Sequence, residues 1–166
     1  EEVLYDYMLK DEGHAMGMMP IFNYVDGNHD VIREMLLHPQ AVSGLSDGGA
    51  HCGMICDASI PTFMLSHWTR DRTRGEKLPL EWIIKKQTLD TASLYGLSDR
   101  GSLKVGKRAD LNVIDYEALT LHGPKMAHDL PAGGRRLLQE ATGYDYTIVA
   151  GQITRDHGKD TGKRPG

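Results

Sequence analysis

The chain has 166 residues, a length that suits one domain, or one domain with part of another. Its 19 basic and 23 acidic residues give a formal net charge of -4, which excludes the broad positive field that nucleic acid or an anionic membrane requires. No apolar stretch is long enough for a transmembrane helix, and the first residues lack the basic and apolar regions of a secretory signal. The chain begins without Met, inside what reads as a helix, so we expect a processed chain or a fragment.

Cysteine usage bears on the redox compartment. The two cysteines, Cys52 and Cys56, are too few for a disulfide framework and lack the second pair that a structural zinc site needs. They are typical of reduced thiols, and we therefore expect a cytoplasmic protein.

The first part of the chain alternates between strand and helix patterns. Apolar residues at helical spacing predict helices over residues 1–10 and 30–37, the second ending where His38 precedes proline. Short apolar runs predict strands or extended segments over residues 18–25 and 41–46. This βαβα order is the signature of a parallel sheet covered by helices.

Further helices are predicted over residues 60–70 and 80–89, with a continuation over residues 90–95 that follows a break and stops at Gly96. Beyond Gly96 the sequence becomes rich in turns and alternating patterns. We therefore place a boundary near Leu97, with an α/β part before it and a small all-β part after it.

The second part has the patterns of a small β structure. Residues 110–116 alternate like a half-buried strand, and residues 145–155 read as a β-hairpin. Residues 119–136, which contain two prolines and a Gly-Gly pair, are predicted to be a loop. The polar tail over residues 159–166 is predicted to be loose.

A glycine-rich stretch over residues 101–108 (GSLKVGKR) nearly matches a phosphate-binding loop. Arg108 replaces the hydroxyl residue that would hold magnesium. A strand is predicted to follow, whereas phosphate binding requires the N-terminus of a helix. The stretch therefore argues against a nucleotide site.

Residues 44–48 (GLSDG) fit the nucleophile elbow G-x-S-x-G, with Ser46 as the nucleophile of a serine hydrolase. An elbow also needs a helix immediately after the serine, and Gly48 and Gly49 are poor helix formers. A serine hydrolase that uses Ser46 stays open as an alternative.

Asp47 is the stronger catalytic candidate. It follows a predicted parallel strand, and catalytic groups of (β/α) architectures come from the C-terminal ends of strands. His51, one turn further on, could bind a substrate or orient Asp47. A role for Asp47 in capping the loop is the structural alternative. The chain contains neither His-x-His nor His-Glu-x-x-His, so a complete metal site is not predicted within it.

These motifs together resemble one enzyme family. Ser46-Asp47-Gly48 followed by His51 resembles the eighth-strand signature of the amidohydrolase superfamily, and residues 88–97 resemble the last barrel helix. Residues 101–115 resemble the segment in which those enzymes pass from the barrel into a small β-sandwich. Residues 129–136, 147–151 and 161–166 resemble the D-aminoacylase branch, the N-acyl-D-amino-acid deacylases.

The resemblance implies an α/β fold: the C-terminal end of a (β/α)8 TIM-type barrel followed by a small β-sandwich segment. Residues 1–96 would be the last βα units of a metal-dependent hydrolase barrel, and residues 97–166 a small β-rich C-terminal domain. The resemblance implies Zn²⁺ or another divalent metal as cofactor, with most of its ligands outside this chain. Asp47 would contact the metal and act as general base and acid, and His51 would bind substrate.

The implied reaction is hydrolysis of non-peptide C–N (amide) bonds, with N-acyl amino acids as substrates. The family has a His- and Pro-rich run ending in a substrate-binding arginine, where this chain has residues 52–59 (CGMICDAS); its nearest arginines are Arg70 and Arg72. We expect a small-molecule substrate, no nucleic acid, no membrane, and homo-oligomers formed through unpaired strand edges. A folding or assembly module without activity of its own is the non-enzymatic alternative.

Overall fold

The computed structural model describes residues 1–18, 22–44, 46, 49 and 51–166. Helical structure occupies the first part of the chain. The α-helices are α1 (Glu2–Met8), α2 (Lys10–Gly13), α3 (Asp30–Leu37), α4 (Ile60–Ser66), α5 (Leu80–Lys85) and α6 (Thr91–Leu94). A π-turn, His67–Asp71, extends α4, and a second π-turn, Lys86–Asp90, joins α5 to α6.

The strands all lie in the second part of the described chain. They are β1 (Leu111–Ile114), β2 (Thr120–Leu121), β3 (Lys125–Leu130), β4 (Gly134–Leu138), β5 (Ala141–Thr142), β6 (Tyr144–Val149), β7 (Gln152–Asp156) and β8 (Lys159–Asp160). One four-stranded sheet has the order β1-β6-β7-β8, and two further pairs are β2-β5 and β3-β4. Every pairing is antiparallel.

The register of the larger sheet is set by β6, which pairs with strands on both sides. Leu111 lies opposite Ile148 at one edge of β6, and Ile153 lies opposite the same residue at the other. The register shifts once in each pairing, and such bulges bend a strand and increase its twist.

A small apolar core holds the helical part together. Trp68 and Ile83 are almost completely buried, with Met64 and Leu78 beside them. Residues of α3 and α4 pack around this cluster, because the apolar stripe of an amphipathic helix faces the core. By contrast, α1 buries none of its residues.

Polar contacts join the helical part to the β part. The hydroxyl groups of Thr62 and Tyr144 lie 2.8 Å apart, and those of Thr69 and Tyr116 lie 2.6 Å apart. Arg70 donates from Nη2 to the carbonyl oxygen of Leu119 at 2.6 Å. These contacts place the β1–β2 connection and the start of β6 beside α4 and its π-turn.

Several predicted elements match the structure. The helix predicted over residues 30–37 is α3, and the helix predicted over residues 60–70 is α4 with its π-turn. The helix predicted from residue 80 is also found, but the predicted break before residue 90 is wrong, because the π-turn continues the helix to Leu94. The strand predicted over residues 110–116 contains β1, and the predicted hairpin is β6-β7.

Two strand predictions in the first part are not matched. Residues 22–25 form bends and a turn, and residues 41–44 and 46 belong to no strand. The described part does not include residues 19–21, 45, 47, 48 and 50. The two strand predictions are therefore wrong only for the residues that the structure describes. No neighbouring strand pairs with these described residues, so their backbone groups do not form the hydrogen-bonded ladder of a sheet.

Two further predictions were wrong. The predicted loop over residues 119–136 contains β2, β3 and the start of β4, and its Pro131–Gly133 segment is the 3-10 turn between β3 and β4. The tail is also ordered locally. Lys159–Asp160 pairs with β7, and Arg164 forms a bidentate ion pair with the Asp160 carboxylate at 3.0 and 2.8 Å.

The barrel and the division at residue 97 remain predictions. Within the described part of the chain, no strand precedes β1. No helix in that same part combines the length and apolar character needed to cross a bilayer.

Candidate functional site

The segment over residues 41–56, which contains Asp47 and His51, is the candidate site. Two side chains from the α5–α6 helical segment hold its upstream end. Lys86 donates from Nζ to the carbonyl oxygen of Ala41, and Thr91 donates from Oγ1 to that of Ser43 at 3.3 Å. The backbone of residues 41–43 is therefore fixed by side chains of the helix packed beside it.

The downstream end of the segment is held by the β part. Its turn is closed by the carbonyl oxygen of His51, which accepts bonds from the backbone N–H groups of Met54 at 2.8 Å and Ile55 at 3.0 Å. Leu137 of β4 donates its backbone N–H to the carbonyl oxygen of Cys52 at 2.6 Å. Both ends of the candidate site are thus attached to regular structure.

The structure describes only one of the two predicted site residues. Asp47 lies outside the described residues. His51 is exposed and has a backbone φ of 51°, in the left-handed region that a residue with a Cβ rarely occupies. Its side chain is free to meet a ligand from solvent, and strained backbone of this kind clusters at functional sites.

Both cysteines of the segment are free thiols and half-buried. Cys56 lies with its Sγ 3.6 Å from Oε1 of Gln139. Burial raises the pKa of the Cys56 thiol, and the neighbouring Asp57 carboxylate raises that pKa further. A raised pKa leaves less of the thiol as the nucleophilic thiolate, which favours a structural role for Cys56.

The two arginines that follow the candidate site most closely in sequence are already engaged. Arg70 binds the carbonyl oxygens of Tyr116 and Leu119 and pairs with the Asp71 carboxylate at 2.6 Å. Arg72 is 3% exposed; it pairs with Asp30 and donates to the carbonyl oxygen of Glu76 at 3.0 Å. Neither guanidinium is available to bind a substrate carboxylate.

The elbow prediction for Ser46 finds no support in the described residues. Ser46 is half-buried. Beyond it, the next helical residues in the described part are the 3-10 turn Asp57–Ser59. A nucleophile elbow places its serine at a strand-to-helix turn, and neither flanking element is seen here. The glycine-rich stretch over residues 101–108 is likewise followed by β1 and not by a helix, as predicted.

The described residues do not form a metal site by themselves. Nowhere in residues 1–18, 22–44, 46, 49 and 51–166 do three His, Cys, Asp or Glu side chains come together in a way that could hold an ion. A zinc centre needs at least three protein ligands. A metal bound beside this segment would need ligands from elsewhere.

Sequence reasoning missed Lys86 and Thr91. Lys86 follows Trp82 by four residues and Ile83 by three, so it lies in the apolar phase of the helix. A lysine at a core-facing position is unusual, and this periodicity was the signal that could have revealed it. Thr91 carries no comparable signal, because its position depends on the π-turn.

The chain matches the profile of the Amidohydrolase family over residues 8–155. No curated protein and no solved structure matches it significantly. Because the match covers most of the chain, the protein belongs to the amidohydrolase family, which consists of hydrolases that generally use divalent metal ions.

Proposed function

We propose that this chain contributes the closing βα units and the β-rich end of a metal-dependent amidohydrolase that cleaves amide C–N bonds, with N-acyl amino acids as substrates. The observation that carries the proposal is the family match over residues 8–155, which includes the Ser46-Asp47-Gly48 motif and His51. The D-aminoacylase-like motifs in the second part of the chain support the amide substrate class.

Asp47 is the residue that we propose carries the chemistry of this chain. Its carboxylate would contact the metal, accept a proton from the attacking water and deliver it to the leaving amine. When bound, the divalent metal supplies Lewis acidity and an activated water. His51, exposed four residues further on, would contact the substrate.

The metal itself, Zn²⁺ or another divalent ion, would be held mainly by residues outside this chain. The absence of a three-ligand cluster among the described residues supports this division. The chain alone would then be inactive. The free thiols favour the cytoplasm as its compartment.

The substrate carboxylate would not be held by Arg70 or Arg72, because both guanidinium groups are used within the fold. Recognition of an N-acyl amino acid therefore depends on groups outside these two side chains. Acyl amino acids of both hands belong in any assay, since the arginine typical of the D-aminoacylases is not found at its usual place.

The decisive experiment compares Asp47→Asn with Ser46→Ala in the full-length enzyme. Asp47→Asn keeps the shape and one acceptor oxygen but removes the base, so kcat should fall by about 10²–10⁴-fold. KM should change far less, because proton transfer matters in the transition state. Ser46→Ala should leave turnover nearly unchanged.

Metal content is measured for each variant, so that loss of the ion is separated from loss of the base. Near-normal turnover in a metal-loaded Asp47→Asn, with none in Ser46→Ala, would replace the amidohydrolase mechanism by the serine one. An enzyme that tolerates both substitutions would refute both mechanisms.

A further inference from the structure

One face of the four-stranded sheet carries a row of polar side chains. Thr147 of β6 lies opposite Arg155 of β7, and Arg155 lies opposite Asp160 of β8. Directly opposite residues of antiparallel strands place their side chains on the same face of the sheet. The three side chains therefore lie side by side across three neighbouring strands.

A cavity of about 500 Å³, open to solvent, lies between this row and the last residues of the chain. Thr147, Arg155 and Asp160 line it on the side of the sheet, and Lys163, Arg164 and Pro165 line it on the side of the tail. This volume is within the range of cavities that bind small molecules.

The tail that forms one wall of the cavity is attached at both ends. Thr161 donates its backbone N–H to the carbonyl oxygen of Thr154 at 3.0 Å and its hydroxyl to that of Ile153 at 2.7 Å. Further along, Arg108 donates from Nη2 to the carbonyl oxygen of Pro165 at 3.4 Å. The wall is therefore already formed, which reduces the entropy that a ligand must pay to order it.

The charges around the cavity do not balance. Asp160 is the only acidic side chain among the described residues that line it, and its carboxylate accepts a bidentate pair from Arg164 and one backbone N–H at 2.7 Å. These bonds, that from Arg164 first, lower the pKa of Asp160 to about 2, so the carboxylate stays ionised and paired. Arg155 and Lys163 remain as an excess of two positive charges, and a carboxylate at Gly166 would still leave one.

The two excess cations also have donors to spare. Arg155 donates from Nη1 to the carbonyl oxygen of Gly158 at 3.0 Å, the only bond of its guanidinium within the described part of the chain. Among those same residues, Lys163 and Thr147 form hydrogen bonds only through their backbone. A guanidinium, an ammonium and a hydroxyl are the donors that proteins use to bind oxyanions.

We infer that this cavity is a binding site for a phosphate group, a small oxyanion with two negative charges. Arg155 would bind two of its oxygens through the planar guanidinium, Lys163 would supply the second positive charge, and the Thr147 hydroxyl would donate to a further oxygen. The cavity shares no lining residue with the segment over residues 41–56, so the inference is independent of the proposed function of Asp47.

The site is tested by NMR titration of the isotopically labelled chain with inorganic phosphate, at a pH where phosphate is mainly the dianion. Sodium chloride holds the ionic strength constant, so that general screening of charge does not change during the titration. The amides of residues 147, 155 and 160–163 should shift and reach saturation. The absence of saturable shifts at these amides would overturn the inference.

Variants separate a built site from the overall charge of the chain. Arg155→Gln and Lys163→Gln should each weaken phosphate binding by about five- to tenfold, because each removes a charge-assisted contact. Lys159→Gln is the matched control, since Lys159 precedes Asp160 on β8 and its side chain points to the opposite face; affinity should change by less than about twofold. Equal weakening by Lys159→Gln would show that only net charge matters and would overturn the site. Lys163→Gln keeps the test decisive if Arg155→Gln disturbs the turn at Gly158.

Two further ligands define the chemistry of the site. Glycerol phosphate that binds at least as tightly as inorganic phosphate would support the site and identify the phosphate group of a larger molecule as its ligand. Binding of inorganic phosphate alone would support the site and identify the free ion. Acetate that binds as tightly as phosphate would overturn the assignment of a doubly charged ligand.

Discussion

Gly143 lies at a point of the β part where a side chain would have no room. It joins β5 to β6 with φ of +95°, and a Cβ placed on it would lie 2.6 Å from the Leu119 Cα and 2.7 Å from the Leu119 backbone nitrogen. Its carbonyl oxygen also accepts the Asp115 N–H at 2.9 Å. The obstacle is backbone, which cannot move aside as a flexible side chain does.

Gly143→Ala should therefore destabilise the protein by the sum of two effects. Alanine in the left-handed region costs about 1–2 kcal/mol, and the forced displacement adds about 1–3 kcal/mol. Gly151→Ala is the matched control, because it has φ of +77° but no atom within 4 Å of the added Cβ. Urea unfolding of both variants measures the difference, and equal losses would show that the close approach to Leu119 does not matter.

The roles of Arg70 and Arg72 could not be predicted from sequence alone. Both were the nearest candidates for binding a substrate carboxylate, and both are instead used to satisfy carbonyl groups of the fold. The choice between these roles depends on which chain segments come close in space. Residue type and spacing do not contain that information.

At the scale of elements, two histidines link α3 to the π-turn after α4. His29, the N-cap of α3, lies with its ring 5.6 Å from that of His67, which stacks on Phe63 at 4.5 Å. Tyr24 and Trp68 complete the aromatic surroundings. The Nε2 atom of His67 is buried, with no hydrogen-bond partner among the described residues.

Both imidazoles have a pKa below the ordinary value for histidine. Burial lowers the pKa of His29, and Arg72 lowers it further. Burial is also the main cause that lowers the pKa of His67, followed by His29 and Arg72, while Asp71 opposes the shift. Because these pKa values lie below those of the unfolded chain, acid protonates the unfolded state first.

Stability should therefore be greatest above about pH 6.5 and fall as the pH decreases below it. Thermal unfolding between pH 7.5 and 5 measures this loss. His67→Phe keeps a ring against Phe63 but cannot take a proton, and it should flatten the acid side of the stability curve. His128→Gln, an exposed histidine outside this cluster, is the control. An unchanged curve in His67→Phe would exclude His67 from the acid response.

The elements that could be predicted from sequence are those whose pattern is local. The apolar stripe of α3 and the alternation in β1 and in the β6-β7 hairpin each report one buried face. The β3-β4 pair has no such clear pattern, because Pro131 and Gly133 are equally typical of a long loop and here form the short turn between two strands. The π-turns have no comparable sequence pattern.

The residues of the candidate site also divide into those that a local motif reveals and those that only the folded chain reveals. The Ser46-Asp47-Gly48 motif can be recognised from sequence, because a motif is a short stretch of neighbouring residues, and it carries the proposed site. Lys86 follows Ala41 by 45 residues and Thr91 follows Ser43 by 48, and these contacts appear only in the folded chain. Long-range contacts of this kind are decided by packing and not by local pattern.

At the scale of the whole molecule, the helical part and the β part share polar contacts. Within the described residues, they do not form a cluster of three metal ligands. We therefore expect the chain alone to retain little zinc, because a zinc ion with only one or two protein ligands exchanges readily.

Zinc retention provides a direct measurement. The purified chain is loaded with one equivalent of Zn²⁺, dialysed against metal-free buffer and analysed by elemental mass spectrometry, and less than about 0.1 equivalent should remain. The same chain is assayed for amide hydrolysis, which should be absent. Retention of a full equivalent would mean that this chain contains a complete metal site.

The π-turn between α5 and α6 has a consequence for the length of the chain. It holds one residue more than a regular turn, so a chain lacking one residue between Lys86 and Thr91 could still form a continuous α-helix. The deletion would place Thr91 four residues after Lys86, a spacing that a regular α-helix also keeps on one face. One residue removed elsewhere in the helix would instead rotate everything beyond it by about 100°. The π-turn is therefore the position at which this helix tolerates the loss of one residue, because a shortened relative would keep its helix, its apolar core and the direction of Thr91.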